Sequence, residues 1–232
     1  MHDRPLQRHD LVWLRPDTAE QAVAAASCAV VVPRAVTLLA DWVAAGRPLI
    51  ATTQPAALGV GRARLGLALP PQQGKFRLAF ILPASAIARI ERPPLLADVQ
   101  DALPPMWRRA AEDLRAALPN EPCAPRVFGS AAMTAHTGLR CLGPESDLDL
   151  LFEPVDSGAA RRLREALRAH APAAGAPRID GEVRNPVGCA VAWREWITST
   201  GQVLVKRDRD TPALMARREF DAAFEHVEES LA

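Results

Sequence analysis

The residues best suited to chemistry are a Gly-Ser turn and an alternating acid pair. The turn is Gly129-Ser130, in Arg126-Val127-Phe128-Gly129-Ser130, and the acids are Asp147 and Asp149, in Ser146-Asp147-Leu148-Asp149-Leu150-Leu151-Phe152. Residues two apart on a strand point to the same face, so the two carboxylates would stand side by side. Like charges this close repel unless a cation is shared. Hard carboxylate oxygens suit Mg2+, which binds through one or two carboxylates together with substrate phosphates. Upstream, Val127-Phe128 reads as the end of a short strand, and Ser130 to Thr137 as a short helix that Gly138 terminates. A Gly-Ser turn opening a helix offers backbone N–H groups and the positive end of the helix dipole to a phosphate. Turn and acid pair together describe a site for phosphoryl or nucleotidyl transfer. Asp-Leu-Asp-Leu alone would fit an ordinary strand with two solvent-facing acids; the Gly-Ser turn placed before it argues against that reading.

These residues need a scaffold, and the chain is long enough to provide one. Its 232 residues, 49% hydrophobic and 24% charged, can bury one substantial core or two small ones. Residues 1 to about 90 carry the apolar runs Ala29-Val30-Val31-Val32, Pro48-Leu49-Ile50-Ala51 and Arg77 to Leu82, with a helix expected around Ala35 to Ala45, which is a small mixed α/β domain. Arg92-Pro93-Pro94 and Leu103-Pro104-Pro105 bracket a linker with one short helical piece, and a catalytic domain is expected over 95–232. In it, Met106 to Leu118 has helical apolar spacing, a helix over Ser157 to Ala171 is capped by Ser157, and strands are expected near Asp180, at Ala190 to Trp193 and at Gln202 to Val205. A last helix should start with Thr211 as cap and Pro212 at its first position.

Charge and composition narrow the function classes. A net charge of +1 gives no basis for a nucleic-acid track. There is no run of eighteen apolar residues and the N-terminus does not read as a signal peptide, so a cytoplasmic protein that does not enter a membrane is expected. Cys28, Cys123, Cys141 and Cys189 are widely separated and read as free or buried thiols. Lys75 and Lys206 are the only lysines, and Lys206, closing an apolar strand, is a candidate for a phosphate. Arg161, Arg162, Arg164 and Arg168 read as a solvated helix face, Trp193 and Trp196 as core, Gly59 to Arg64 as a hairpin turn, and His9 and His136 as minor candidates.

Phe128-Gly129-Ser130 and Asp147-Leu148-Asp149-Leu150 resemble the signature of the nucleotidyltransferase superfamily: an apolar residue, Gly, Gly or Ser, a spacer, then Asp, an apolar residue, an acid and an apolar residue. The spacer, Ala131 to Ser146, is a few residues longer than usual there, so the loop Leu139 to Ser146 is expected to bulge out. The resemblance implies a third carboxylate, and Pro177-Arg178-Ile179-Asp180-Gly181-Glu182-Val183 supplies two candidates, two residues apart. Asp180 is preferred as a metal ligand beside Asp147 and Asp149, or as the base for the attacking hydroxyl, with Glu182 left open for the same role.

A closer resemblance spans most of the chain. Arg8-His9-Asp10-Leu11-Val12-Trp13-Leu14, the Gly-Ser turn through Thr137-Gly138-Leu139, the acid strand, Asp180-Gly181-Glu182-Val183, Ala190 to Trp196 and Val203-Leu204-Val205-Lys206 follow one another as in the phosphoribosyl-dephospho-CoA transferases of malonate decarboxylase, or holo-acyl carrier protein synthases. The resemblance implies an α+β chain with a nucleotidyltransferase-like catalytic domain, a mixed sheet and flanking helices, preceded by a substrate- or carrier-binding N-terminal domain. It further implies triphosphoribosyl-dephospho-CoA as donor, the acyl carrier subunit of malonate decarboxylase as acceptor and Mg2+ as cofactor. The alternatives are a nucleotidyltransferase that adenylylates a small molecule or protein, and a non-catalytic relative that binds a nucleotide or partner.

Overall fold

The computed structural model describes residues 4–17, 23, 27–28, 34–118, 124–143, 145–171 and 175–225. The apolar run Ala29 to Val32, Cys123 and the side chain of Cys28 lie outside them. The chain divides into two compact units. The first comprises Met1–Pro93, His136–Gly143 and Asp208–Asp210; the second comprises Pro94–Ala135, Pro144–Arg207 and Thr211–Ala232.

The first unit is built on strands β1 (Leu11–Leu14), β2 (Ser27–Cys28), β3 (Leu49–Ala51), β4 (Arg62–Ala68), β5 (Arg77–Pro83) and β6 (Ile87–Glu91). They form one sheet in the order β2-β5-β4-β3-β1-β6, with every neighbouring pair antiparallel. In β4 and β5, Ala63, Leu65, Leu67, Leu78, Phe80 and Leu82 are buried and the residues between them are not. That period of two belongs to a sheet with one covered face. Helix α1 (Ala35–Ala44) buries Ala35, Leu39 and Trp42, a four-then-three spacing that turns one stripe inward. The Trp42 indole N–H donates to the Pro48 carbonyl at 2.9 Å, so the buried ring leaves no polar atom unpaired. Gly59 and Gly61, both with positive φ, lie in the connection from β3 to β4, so the glycine stretch is indeed a turn between antiparallel neighbours.

The second unit opens with helix α2 (Pro105–Ala117) and continues through β7 (Arg126–Val127), α3 (Gly129–Thr137, its last two residues counted with the first unit), β8 (Leu148–Phe152), α4 (Ser157–Ala169), β9 (Ile179–Arg184), β10 (Ala190–Ala192), α5 (Trp193–Thr198), β11 (Gln202–Val205), β12 (Ala213–Ala216) and α6 (Arg217–Ala222). Its main sheet has the order β10-β9-β8-β7, with β8 and β9 parallel and the outer pairs antiparallel. A parallel pair needs a crossover, and α4 supplies it. With its buried stripe of Ala159, Ala160, Leu163 and Leu167, α4 has the amphipathic pattern that crossover requires. An antiparallel sheet in one unit and a mixed sheet with its helices in the other give an α+β chain with six helices bounded within the described residues. None of these helices is long and apolar enough to cross a membrane.

Several local expectations change. The cap of α4 is Asp156 and not Ser157: its carboxylate accepts from the Ala159 N–H, whereas Ser157 is already the first helical residue. The expected helix from Thr211 is replaced by β12, which pairs with β11 from Gln202–Ala216 to Val205–Ala213, and the helix starts only at Arg217. The Pro212 signal loses because β11 offers a ladder of tertiary hydrogen bonds that local propensity cannot match. Trp193 opens α5 instead of closing β10, and both Trp193 and Trp196 are buried as core. The arginine face of α4 is only half solvated: Arg164 donates to Asp221 at 2.7 Å and lies over the Trp196 ring, and Arg168 donates to the Ile197 carbonyl at 2.8 Å. Cys141 and Cys189 are buried and not joined in a disulfide.

Candidate active site

The turn and the acid strand meet through backbone pairing. β7 runs antiparallel to β8 with Val127 opposite Leu150, and the Phe128 N–H donates to the Asp149 carbonyl at 3.0 Å. The chain must then turn into α3 directly beside the Asp149 side chain. Gly129 does so at φ +65, where a Cβ would stand 2.1 Å from Asp149 Oδ2. Only glycine combines this backbone with so close a carboxylate. Ser130 follows in the first turn of α3, half-buried, its carbonyl accepting from the Thr134 hydroxyl at 2.9 Å. The first-turn N–H groups have no partner within the helix and face the same end.

β9 brings the third acid. The parallel register places Asp180 opposite Asp149 and Glu182 opposite Leu151. Asp180 Oδ1 accepts from the Gly181 N–H at 2.8 Å. Gly181, at φ +126, passes so close to β8 that a Cβ would lie 1.8 Å from the Leu150 carbonyl oxygen. Glu182 is different: it is buried, and Lys206 Nζ donates to its Oε1 at 2.9 Å. Lys206 is fixed there by a reciprocal backbone bridge with Ala190, both N–H···O distances being 2.8 Å. The structure therefore groups Gly129, Ser130, Asp147, Asp149 and Asp180 around one end of β8 and β9, while Glu182 and Lys206 hold each other.

One residue in the cluster carried no role in the sequence reading. Arg178 forks Asp147, donating through Nε to Oδ1 at 2.8 Å and through Nη2 to Oδ2, and Nη2 reaches Asp180 Oδ2 at 3.3 Å. Its backbone is pinned too, since the Arg178 carbonyl accepts from the Leu148 N–H at 2.9 Å. The Arg178 hydrogen bond holds the Asp147 carboxyl below the usual carboxylate range, against the opposing effect of burial. Reciprocally, Asp147, then Asp180 and Asp149, hold the guanidinium more firmly protonated than usual. The available signal was its position two residues before Asp180, on the same strand face. Arg194 supports the arrangement from α5, donating to the Ile179 carbonyl at 3.0 Å and covering the Trp193 ring.

The donor set suits Mg2+ in chemistry, being carboxylate oxygens, two of them on cross-strand partners. Yet among the described residues no three His, Cys, Asp or Glu side chains are gathered into a common ligand group. In that arrangement both Asp147 oxygens accept from the Arg178 guanidinium. The minor candidates have surroundings of their own. His136 belongs to the first unit, edge-on to the Trp13 ring at 5.9 Å, and His9 has φ +76 just before β1.

Comparison with known proteins gives one family for both parts of the chain. Residues 95–218 match the family model described as the phosphoribosyl-dephospho-CoA transferase MdcG C-terminal domain, and residues 7–93 match that of the MdcG N-terminal domain. A phosphoribosyl-dephospho-CoA transferase of Xanthomonas campestris pv. campestris (strain 8004) is 39% identical over 201 residues, covering 87% of this chain and 90% of the relative. One of Bradyrhizobium diazoefficiens is 33% identical over 213 residues, 88% of each chain. One of Pseudomonas aeruginosa is 34% identical over 168 residues, 70% of this chain and 75% of the relative. No solved structure matches the chain.

Proposed function

The chain belongs to the phosphoribosyl-dephospho-CoA transferase family, and from that premise we propose that it moves the phosphoribosyl-dephospho-CoA group from 2'-(5''-triphosphoribosyl)-3'-dephospho-CoA to a serine of the apo acyl carrier subunit of malonate decarboxylase, in the cytosol. The second unit is then the nucleotidyltransferase-like catalytic part. The observation that carries the residue assignment is the placement of Asp149 opposite Asp180 in the parallel register, with Gly129 seated against the Asp149 carboxylate.

In this reading Gly129 keeps the backbone open, and the Ser130 hydroxyl and the first-turn N–H groups of α3 take the donor's terminal phosphates. Mg2+, which Asp147, Asp149 and Asp180 would hold, supplies charge neutralisation for the triphosphate and the departing pyrophosphate. Asp180 is assigned as the acid nearest the nucleophile and Glu182 is set aside, because Glu182 is committed to Lys206. The serine oxygen forms a bond to the α-phosphorus as the bond from that phosphorus to the bridging oxygen breaks. Pyrophosphate leaves with the bonding pair, and the serine proton passes to Asp180. Lys206 keeps donors beyond the one on Glu182 and stays assigned as a phosphate contact. Residues 1 to about 90 are assigned to gripping the donor's long arm or the carrier, binding energy remote from the reacting phosphorus.

The test is mass spectrometry of purified apo acyl carrier subunit incubated with the protein, the donor and Mg2+. The expected result is a mass gain equal to the phosphoribosyl-dephospho-CoA group on a single serine. No gain with this donor, but a gain of AMP with ATP, would replace the proposal with an adenylylating enzyme. No gain with either would favour a binding-only relative.

A further inference from the structure

Asp147, Asp149 and Asp180 stand at one end of β8 and β9, and the Arg178 guanidinium bridges two of them, Asp147 and Asp180. Its side chain is 61% exposed and its hydrogen bonds run to Asp147 and Asp180, so it is those carboxylates that retain it. Its carbonyl, by contrast, is tied to Leu148, between Asp147 and Asp149. The backbone is thus fixed at the cluster while the charged head is free to rotate away into water. A guanidinium forking Asp147 occupies the oxygens a divalent cation needs, and it adds a like charge within a few ångströms of where that cation would sit.

We propose that Arg178 is the resident counter-cation of the acid cluster, and that it must release Asp147 and Asp180 for a divalent cation to bind. The inference rests on the reading of Asp147, Asp149 and Asp180 as metal ligands. Arg178 relieves the mutual repulsion of the carboxylates in the metal-free protein and weakens their affinity for free metal. A phosphate-bearing donor lifts that competition, since a released guanidinium finds in a phosphate a partner of the same forked geometry. Arg178 is therefore a positioning residue that links metal loading to donor arrival.

The experiment is titration of the full chain with Mn2+, followed by electron paramagnetic resonance of the free ion, for wild type, D149N, R178Q and R178K without donor. Wild type should bind in a manner that D149N abolishes, R178Q about tenfold more tightly, and R178K in between, because lysine keeps the charge without the fork. In thermal melts the metal-free R178Q protein should be less stable than wild type and gain more from Mn2+. D149N-sensitive binding by wild type with equal or weaker binding by R178Q overturns the counter-cation role and leaves the metal site intact. D149N-sensitive binding by neither wild type nor R178Q overturns the metal site itself and the inference with it. Should R178Q not fold, R178K carries the test, and affinity equal to wild type in that variant overturns the inference.

Discussion

The two sheets handle burial in opposite ways, and the difference locates the chemistry. In the first unit β4 and β5 alternate strictly, buried side chains on one face and partly exposed ones on the other, as in a sheet covered once. In the second, β8 and β9 are buried at almost every position, Leu148, Leu150, Leu151 and Phe152 on one strand and Gly181 to Arg184 on the other. The exceptions are Asp149 and Asp180, which face each other in the register. A sheet covered on both faces leaves few positions uncovered, and in this pair those positions are Asp149 and Asp180. A once-covered sheet has many such positions, none of them singled out.

The sharpest way to break the comparison uses one glycine from each sheet. Gly181→Ala would drive a Cβ to 1.8 Å from the Leu150 carbonyl at φ +126, and β8 backbone cannot move aside as a side chain would. The expected loss is more than about 5 kcal/mol, enough to leave the protein unfolded, read by chemical denaturation and circular dichroism. Gly66→Ala in β4 would meet the Thr52 methyl at 3.3 Å and should cost less than about 1 kcal/mol. Similar losses for the two would show the sheets to be equally tolerant.

Asp149→Asn comes next. Activity on the carrier subunit should fall by about a thousandfold or more, on the order of 4 kcal/mol of transition-state stabilisation, while the melting temperature stays near wild type. Near-normal transfer would remove Asp149 from the site. Lys206→Ala tests the pair beside the acids. Glu182 is buried, so removing its ammonium partner should cost about 3 kcal/mol in equilibrium unfolding, with Glu182→Gln/Lys206→Ala recovering much of it. If instead stability holds and only the donor KM rises, Lys206 acts mainly on phosphate.

The smallest effect belongs to the first unit. His136 lies edge-on to Trp13, and partial desolvation there pushes its imidazole pKa below the ordinary 6.5, with Glu91 pulling it up and Arg89 adding to the fall. The unfolded chain then takes up the proton first, so this contribution to stability is complete above about pH 6.5 and declines as pH falls toward the folded pKa. His136→Gln should flatten the melting-temperature profile between about pH 7 and 5, and an unchanged slope would show that another group sets it.

What could be read in the sequence was whatever depends on neighbours a few residues away. The period of two in Arg77 to Leu82, the helical spacing of Ala35 to Ala44 and of Pro105 to Ala117, and the turn from Gly129 into α3 all follow from local sterics and from the side-chain period of an element. Asp147 and Asp149 sharing a face belongs to the same class. Register is another matter, because it depends on pairing between distant segments. Nothing local states that Asp180 rather than Glu182 lies opposite Asp149, or that β12 forms where Pro212 points to a helix. Nor does it state that the chain returns to the first unit at His136–Gly143 and Asp208–Asp210. The Arg178 fork is of that kind as well: the residue is visible beside its acid strand, but its partner Asp147 is 31 positions away, and only the parallel pairing of β8 with β9 brings the two charges together.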